Sequence, residues 1–134
     1  MPDESALPYP QLTPYLFYED LPGALEWLAA TFGFTERMRM TEPDGTVNHA
    51  EMELGRAVVM MGCPGSDYRN PKRLGPPTAG FYVHVDDVDA HYEHARNAGA
   101  TIQAEIEDKP YGDRVYGVLD PEGHQWWFAA RLGK

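Results

Sequence analysis

The stretch GFYVHVDDVDAHYEHARNAGA, Gly80–Ala100, changes its period halfway along. In GFYVHV the side chains alternate: Phe81, Val83 and Val85 fall on one side, Gly80, Tyr82 and His84 on the other, as in a strand. From Val88 the apolar residues recur at helical spacing, as Val88, Tyr92 and Ala95. Asp86 and Asp87 stand at the junction, where a carboxylate accepts from the free N–H groups of a helix start and complements its dipole. Gly99 supplies a left-handed stop. The same order occurs earlier, in LTPYLFYEDLPGALEWLAATFGF, Leu12–Phe34. There Asp20 is the cap, Pro22 suits the first turn, Leu21, Leu25 and Leu28 form the apolar face, and Gly33 closes the helix. Asp20 and Asp87 are 67 residues apart, Gly33 and Gly99 are 66 apart, and the late-turn glycines Gly55 and Gly123 are 68 apart. Near-equal offsets of about half the 134-residue chain point to a duplicated unit.

Three strands are expected after each helix. In the first half they are Phe34–Met40, Val47–Leu54 and Ala57–Met61, with the turn Glu42-Pro43-Asp44-Gly45 between the first two. In the second they are Thr101–Glu105, Arg114–Leu119 and Gln125–Ala130. Each unit is then βαβββ, and the fold class is α+β, with two curled mixed sheets forming a cup. Residues 1–11 read as a flexible leader and 12–134 as a single domain: unit one 12–61, a connecting loop 62–79, and unit two 80–134. The loop GCPGSDYRNPKRLGPPTA is too rich in Pro and Gly for regular structure. It is a candidate lid, with Tyr68, Arg69 and Arg73 in reach of a ligand.

Composition narrows the partners. Apolar residues make up 43% and charged residues 24%, which is ordinary for a globular chain. The net charge of −10 argues against nucleic acid and anionic membrane as partners, because no basic patch offsets the repulsion. No run approaches the ~18–20 apolar residues of a membrane span. MPDESALPYPQL has neither a basic n-region nor an apolar h-region, so it does not read as a signal peptide. The lone cysteine, Cys63, has no partner for an internal disulfide, and a cytoplasmic location is expected.

The last strand follows a tight turn, in DPEGHQWWFAA, Asp120–Ala130. Trp126 and Trp127 must point to opposite faces. If Trp126 and Phe128 enter the core, then Gln125, Trp127 and Ala129 face the cup. The same parity puts Leu16 and Tyr18 inside and Tyr15 and Phe17 in the cup. In HAEMEL it puts Ala50, Met52 and Leu54 inside, with His49, Glu51 and Glu53 opposite. The cup set is thus Tyr15, Phe17, Tyr82 and Trp127, with His49, His84 and Gln125 as polar points and Arg114 as a possible fixed cation. Aromatic walls with a few placed polar groups suit a small aromatic or amphipathic ligand. Plainer readings stand beside this one. Trp127 could fill the cup, His91 and His94 read as solvated helix surface, and His124 as a turn residue that bonds locally.

The segments YEDLPGALEWLAATFGF, HAEMELG, VHVDDVDAHYEHARNAGA and YGDRVYGVLDPEGHQWWFA resemble the vicinal oxygen chelate superfamily. This is the group of glyoxalase I, bleomycin-resistance proteins and extradiol dioxygenases; the chain is most similar to its small glyoxalase-like branch. The resemblance implies that each sheet curls into a cup and that two units, often from two chains, complete a cavity, so a homodimer is expected. It also implies four inward positions that hold a metal in the enzymes. Those positions match Thr13 and Gly80, seven residues before Asp20 and Asp87, and Val59 and Trp127, four after the turn glycines. None is a good metal ligand, so no metal, cofactor or catalytic residue is assigned. The function implied is metal-independent binding or sequestration of an aromatic or amphipathic molecule, such as an antibiotic. Two alternatives remain open: a glyoxalase- or dioxygenase-type metalloenzyme using His49, Glu51 and His84 as non-standard ligands, and a non-catalytic dimer with a filled cup.

Overall fold

A computed structural model describes residues 9–133. Most of the expected leader, residues 1–8, lies outside the described residues, as does Lys134. The first unit runs to Tyr68 and the second from Arg69 onward, with Ala30–Phe32 counted in the second.

The first unit holds β1 (Tyr15–Phe17), α1 (Leu21–Phe32), β2 (Thr35–Thr41), β3 (Val47–Leu54) and β4 (Ala57–Gly62). Its sheet has the order β1-β4-β3-β2, with β1 parallel to β4 and the other pairs antiparallel. The Asp20 side chain accepts from the Gly23 N–H at 3.1 Å and caps α1, and Gly33 ends it at φ 87°. Leu16, Tyr18, Leu21, Leu25, Leu28, Ala50, Met52 and Met61 make the core, each at most 3% exposed. Burying each large apolar side chain contributes about 1.5–3 kcal/mol.

The second unit repeats the plan after α2 (Pro71–Leu74), with β5 (Gly80–His84), α3 (Val88–Asn97), β6 (Thr101–Asp108), β7 (Asp113–Leu119) and β8 (Gln125–Arg131). Its sheet has the order β5-β8-β7-β6, with β5 parallel to β8. Asp87 caps α3 through the Ala90 N–H at 3.0 Å. Trp126 and Phe128 are fully buried. The Phe32 ring lies edge-on to both, with centroids 5.5 Å and 4.6 Å away. Among the described residues, no helix is long and apolar enough to cross a membrane.

Two expectations need correction. The connecting loop is not wholly irregular: Asn70 accepts from the Arg73 N–H at 3.0 Å and starts the one-turn helix α2. The Asn70 amide also donates to Glu122 Oε1 at 3.1 Å, and the Lys72 N–H donates to the Glu122 carbonyl at 2.9 Å, tying the helix to the β7–β8 turn. His91 is not solvated surface. Its ring lies 4.1 Å from Phe128, with Nδ1 at 2.7 Å from the Tyr116 hydroxyl and Nε2 at 2.9 Å from the Phe32 carbonyl. A histidine and a solvated polar residue look alike in a helix pattern, and only the partners reveal the packed one. His94 is exposed, but its Nε2 lies 2.7 Å from the Ala30 carbonyl.

Candidate functional site

The face of the second sheet that carries Trp127 is built by strand parity. β5 contributes Gly80, Tyr82 and His84. β8 contributes Gln125, Trp127, Ala129 and Arg131, and β7 contributes Asp113, Val115, Gly117 and Leu119. Trp127 stands between Tyr82 on one neighbouring strand and Gly117 on the other. Its ring lies over bare backbone. A Cβ at Gly80 would stand 2.3 Å from Trp127 Cζ3, and one at Gly117 would stand 3.2 Å from Trp127 Cδ1. Two glycines in flanking strands therefore let the indole lie down on the sheet, at the close approach that a missing side chain permits.

Beside that ring opens a cleft of about 570 Å³, lined by Pro76, Pro77, Gln103, Leu119, Gln125 and Trp127 among others. The volume falls within the range of small-molecule sites, and the lining combines apolar walls with two amides. Gln125 is buried, and its amide donates to the Trp126 carbonyl at 3.1 Å. The expected lid thus contributes Pro76 and Pro77 to the cleft, not Tyr68. Tyr68 belongs to the first unit, where its hydroxyl donates to the Phe17 carbonyl at 3.0 Å.

Further along the same face lies a polar cluster that the sequence did not disclose. Tyr82 donates to Asp113 Oδ2 at 2.5 Å, and Arg131 Nη1 donates to Asp113 Oδ1 at 2.8 Å. His84 Nε2 lies 3.4 Å from Asp113 Oδ2. The Tyr82 hydrogen bond, helped by Arg131, holds the Asp113 carboxyl below the usual carboxylate value. Burial, and then the same bond to Asp113, pushes the Tyr82 hydroxyl well above the usual tyrosine value. Asp113 and Arg131 flank turns and strand ends, where sequence patterning gives no signal.

Arg114 is not in the cup. Register places it on the opposite face, where it donates to Asp89 of α3 at 2.9 Å and to Asp108 at 2.8 Å. The position read as Val59 is also shifted. Tyr15 pairs with Met60 as Tyr82 pairs with Trp127, so Met60 is the counterpart of Trp127, while Val59 is 4% exposed in the core. The reason is turn length. Register pairs Leu54 with Ala57 across the first turn, whereas the second turn carries one residue more between the equivalent positions. Of the other two positions, Thr13 precedes β1, with its hydroxyl on the Pro10 carbonyl at 3.3 Å, and Gly80 lies under Trp127.

In the first unit, the outward face of β1 and β3 brings Tyr15, Phe17, His49 and Glu51 together. The Tyr15 hydroxyl lies 3.0 Å from His49 Nδ1, and His49 Nε2 lies 3.1 Å from Glu51 Oε2. The Tyr9 hydroxyl sits 3.0 Å from both Glu51 oxygens. Glu51 is 4% exposed, whereas the Tyr15 and Phe17 side chains stand open at 47% and 46%. His84 partners Asp113 rather than this pair. Among the described residues no three His, Cys, Asp or Glu side chains converge as a metal site would require.

Residues 10–128 match the model of the Glyoxalase/Bleomycin resistance protein/Dioxygenase superfamily. The chain belongs to that superfamily. An uncharacterized protein of Mycobacterium bovis is 35% identical over 123 residues, covering 87% of this chain and 80% of its own length. The crystal structure of TioX from a Micromonospora species is 36% identical with a TM-score of 0.76, covering 92% of this chain and 99% of its own. The fosfomycin resistance protein FosX of Listeria monocytogenes, at 13% identity and a TM-score of 0.67 over 93% of both chains, shares the fold.

Proposed function

We propose that the chain is a metal-independent binder of a flat aromatic or amphipathic small molecule, held in the cleft of the second unit against Trp127. The observation that carries this reading is the indole lying over Gly80 and Gly117 beside a cleft of about 570 Å³. An indole resting on backbone offers its open face to a ligand ring at low entropic cost, because its own rotamer is already set. Gln103 and Gln125 supply polar points, and Pro76 and Pro77 form a stiff wall. Sequestration of an aromatic natural product, such as an antibiotic, fits this lining and the superfamily.

The same reading extends to a homodimer, in which a second copy completes the cavity beside Trp127. Light scattering would return a monomer if that part is wrong. The lone Cys63 supports a reducing, cytoplasmic setting. The main test is a panel of planar aromatic compounds, read by tryptophan fluorescence and melting temperature in the native protein and in W127A. Binding that quenches the native protein and is weakened in W127A supports the reading. A panel that neither quenches nor stabilises the native protein overturns it.

A further inference from the structure

We infer that Glu51, His49 and Tyr15 form a proton relay in the first unit. Tyr15 would be the catalytic hydroxyl for proton transfer to and from an aromatic molecule that carries an acidic O–H, such as a phenol or enol. The inference concerns the first unit alone and does not rest on the cleft of the second. Its logic is the hydrogen-bond inventory. Glu51 is buried, and an ionised carboxylate only accepts. His49 Nε2, 3.1 Å from Glu51 Oε2, must then carry a proton. In the neutral ring Nδ1 is therefore bare and faces the Tyr15 hydroxyl at 3.0 Å, so Tyr15 donates to it. Buried acid, oriented imidazole and exposed hydroxyl stand in the order that activates a hydroxyl in nucleophile–base–acid triads. Tyr9 donates to both Glu51 oxygens at 3.0 Å.

The geometry is specifically accommodated. A Cβ at Gly62, which pairs with His49 across the strands, would stand 2.8 Å from the Tyr15 hydroxyl. Phe17, 5.7 Å from the Tyr15 ring, supplies an apolar wall beside the hydroxyl. Tyr82, the repeat counterpart of Tyr15, gives its proton to a carboxylate that holds it. Tyr15 faces an imidazole nitrogen instead. As a substrate O–H proton passes to Tyr15 Oη, the Tyr15 proton passes to His49 Nδ1. The imidazolium that results is held by Glu51, and the substrate leaves as its anion; the reverse sequence returns the proton.

The test uses 4-nitrophenyl acetate on the full chain, with acetylation of Tyr15 followed by peptide mass spectrometry from pH 5 to 10. A hydroxyl whose proton is drawn off by His49 reacts faster than an ordinary tyrosine. Acetylation of Tyr15 at least tenfold slower in H49Q at pH 7.5 is the expected result. E51Q, which keeps an acceptor but not its charge, is expected to fall between. Equal Tyr15 rates in the native protein and in H49Q would overturn the relay, whether or not either variant loses stability. So would an NMR spectrum of the native protein showing the His49 proton on Nδ1 rather than Nε2.

Discussion

Trp127 lies on the backbone of Gly80, so closely that a methyl group at position 80 would meet its ring at 2.3 Å. Gly80 has no left-handed backbone to explain it, since the positive-φ glycines are others. The contact alone requires glycine. G80A should therefore lift the indole from the sheet, lower stability by about 1–3 kcal/mol as overpacking does, and reduce affinity for planar probes. Urea unfolding and a fluorescence titration on the same variant check both effects.

The two adjacent tryptophans should separate stability from binding. Trp126 is fully buried, with Nε1 donating to Asp120 Oδ2 at 3.2 Å, and W126A should cost about 3–5 kcal/mol. W127A removes a half-buried ring from an open face and should leave the fold intact. It should weaken a stacked ligand by about 0.5–1.5 kcal/mol, several-fold in Kd, beyond the area lost. Thermal melts and titrations of both variants decide it; equal loss of stability would count against the separation.

Y82F should show its stability defect only between two pH limits. Asp113 is depressed in the fold by the Tyr82 hydrogen bond first, and by Arg131. Its stabilisation is fully present above the ordinary value of 3.8 and is lost as pH falls through the lower folded value. Tyr82 is raised in the fold, so its contribution is fully present below the ordinary 10.0 and is lost as pH rises through the higher folded value. The gap between Y82F and the native protein should thus be level near neutrality and narrow at both ends. Urea midpoints measured from pH 3 to 10.5 would show a pH-independent gap if the pair is not coupled this way.

His91 should make the second unit acid-sensitive. Burial lowers its pKa, so the fold holds it neutral, and protonation favours the unfolded chain. Its stabilisation is present above the ordinary 6.5 and is lost as pH falls through the depressed folded value. H91L leaves the Tyr116 hydroxyl and the Phe32 carbonyl without this partner, at a cost of about 1–3 kcal/mol at pH 7.5. That deficit should shrink below pH 6.5. Melting temperatures at pH 7.5 and 5.5 test it, and a deficit that stays constant would refute the assignment.

Much of the architecture is readable along the chain, because strand and helix periods, acidic caps and stop glycines are local. Val47–Leu54 is both the expected and the observed β3. Asp20 and Asp87 cap the helices they precede. The parity that places Trp126 inside and Trp127 outside follows from the two-residue period of a strand. The errors arise where the decisive quantity is not periodic. One additional residue in the second turn moved the Val59 comparison by one position and so to the other face. Arg114 was ambiguous because a long side chain at a strand start shows no alternation of its own.

The sequence by itself determined that two βαβββ units exist, and that Trp126 faces the core while Trp127 faces away from it. Tertiary structure alone decided the partners. It joined Tyr82 to Asp113 across 31 residues and Tyr9 to Glu51 across 42. It laid Trp127 over glycines on both neighbouring strands, and turned His49 between Glu51 and Tyr15. Periodicity specifies which face a side chain occupies, because that depends on the backbone nearby. Hydrogen-bond partners and protonation depend on which strands lie side by side and in what register, and that is settled only when the sheet is assembled.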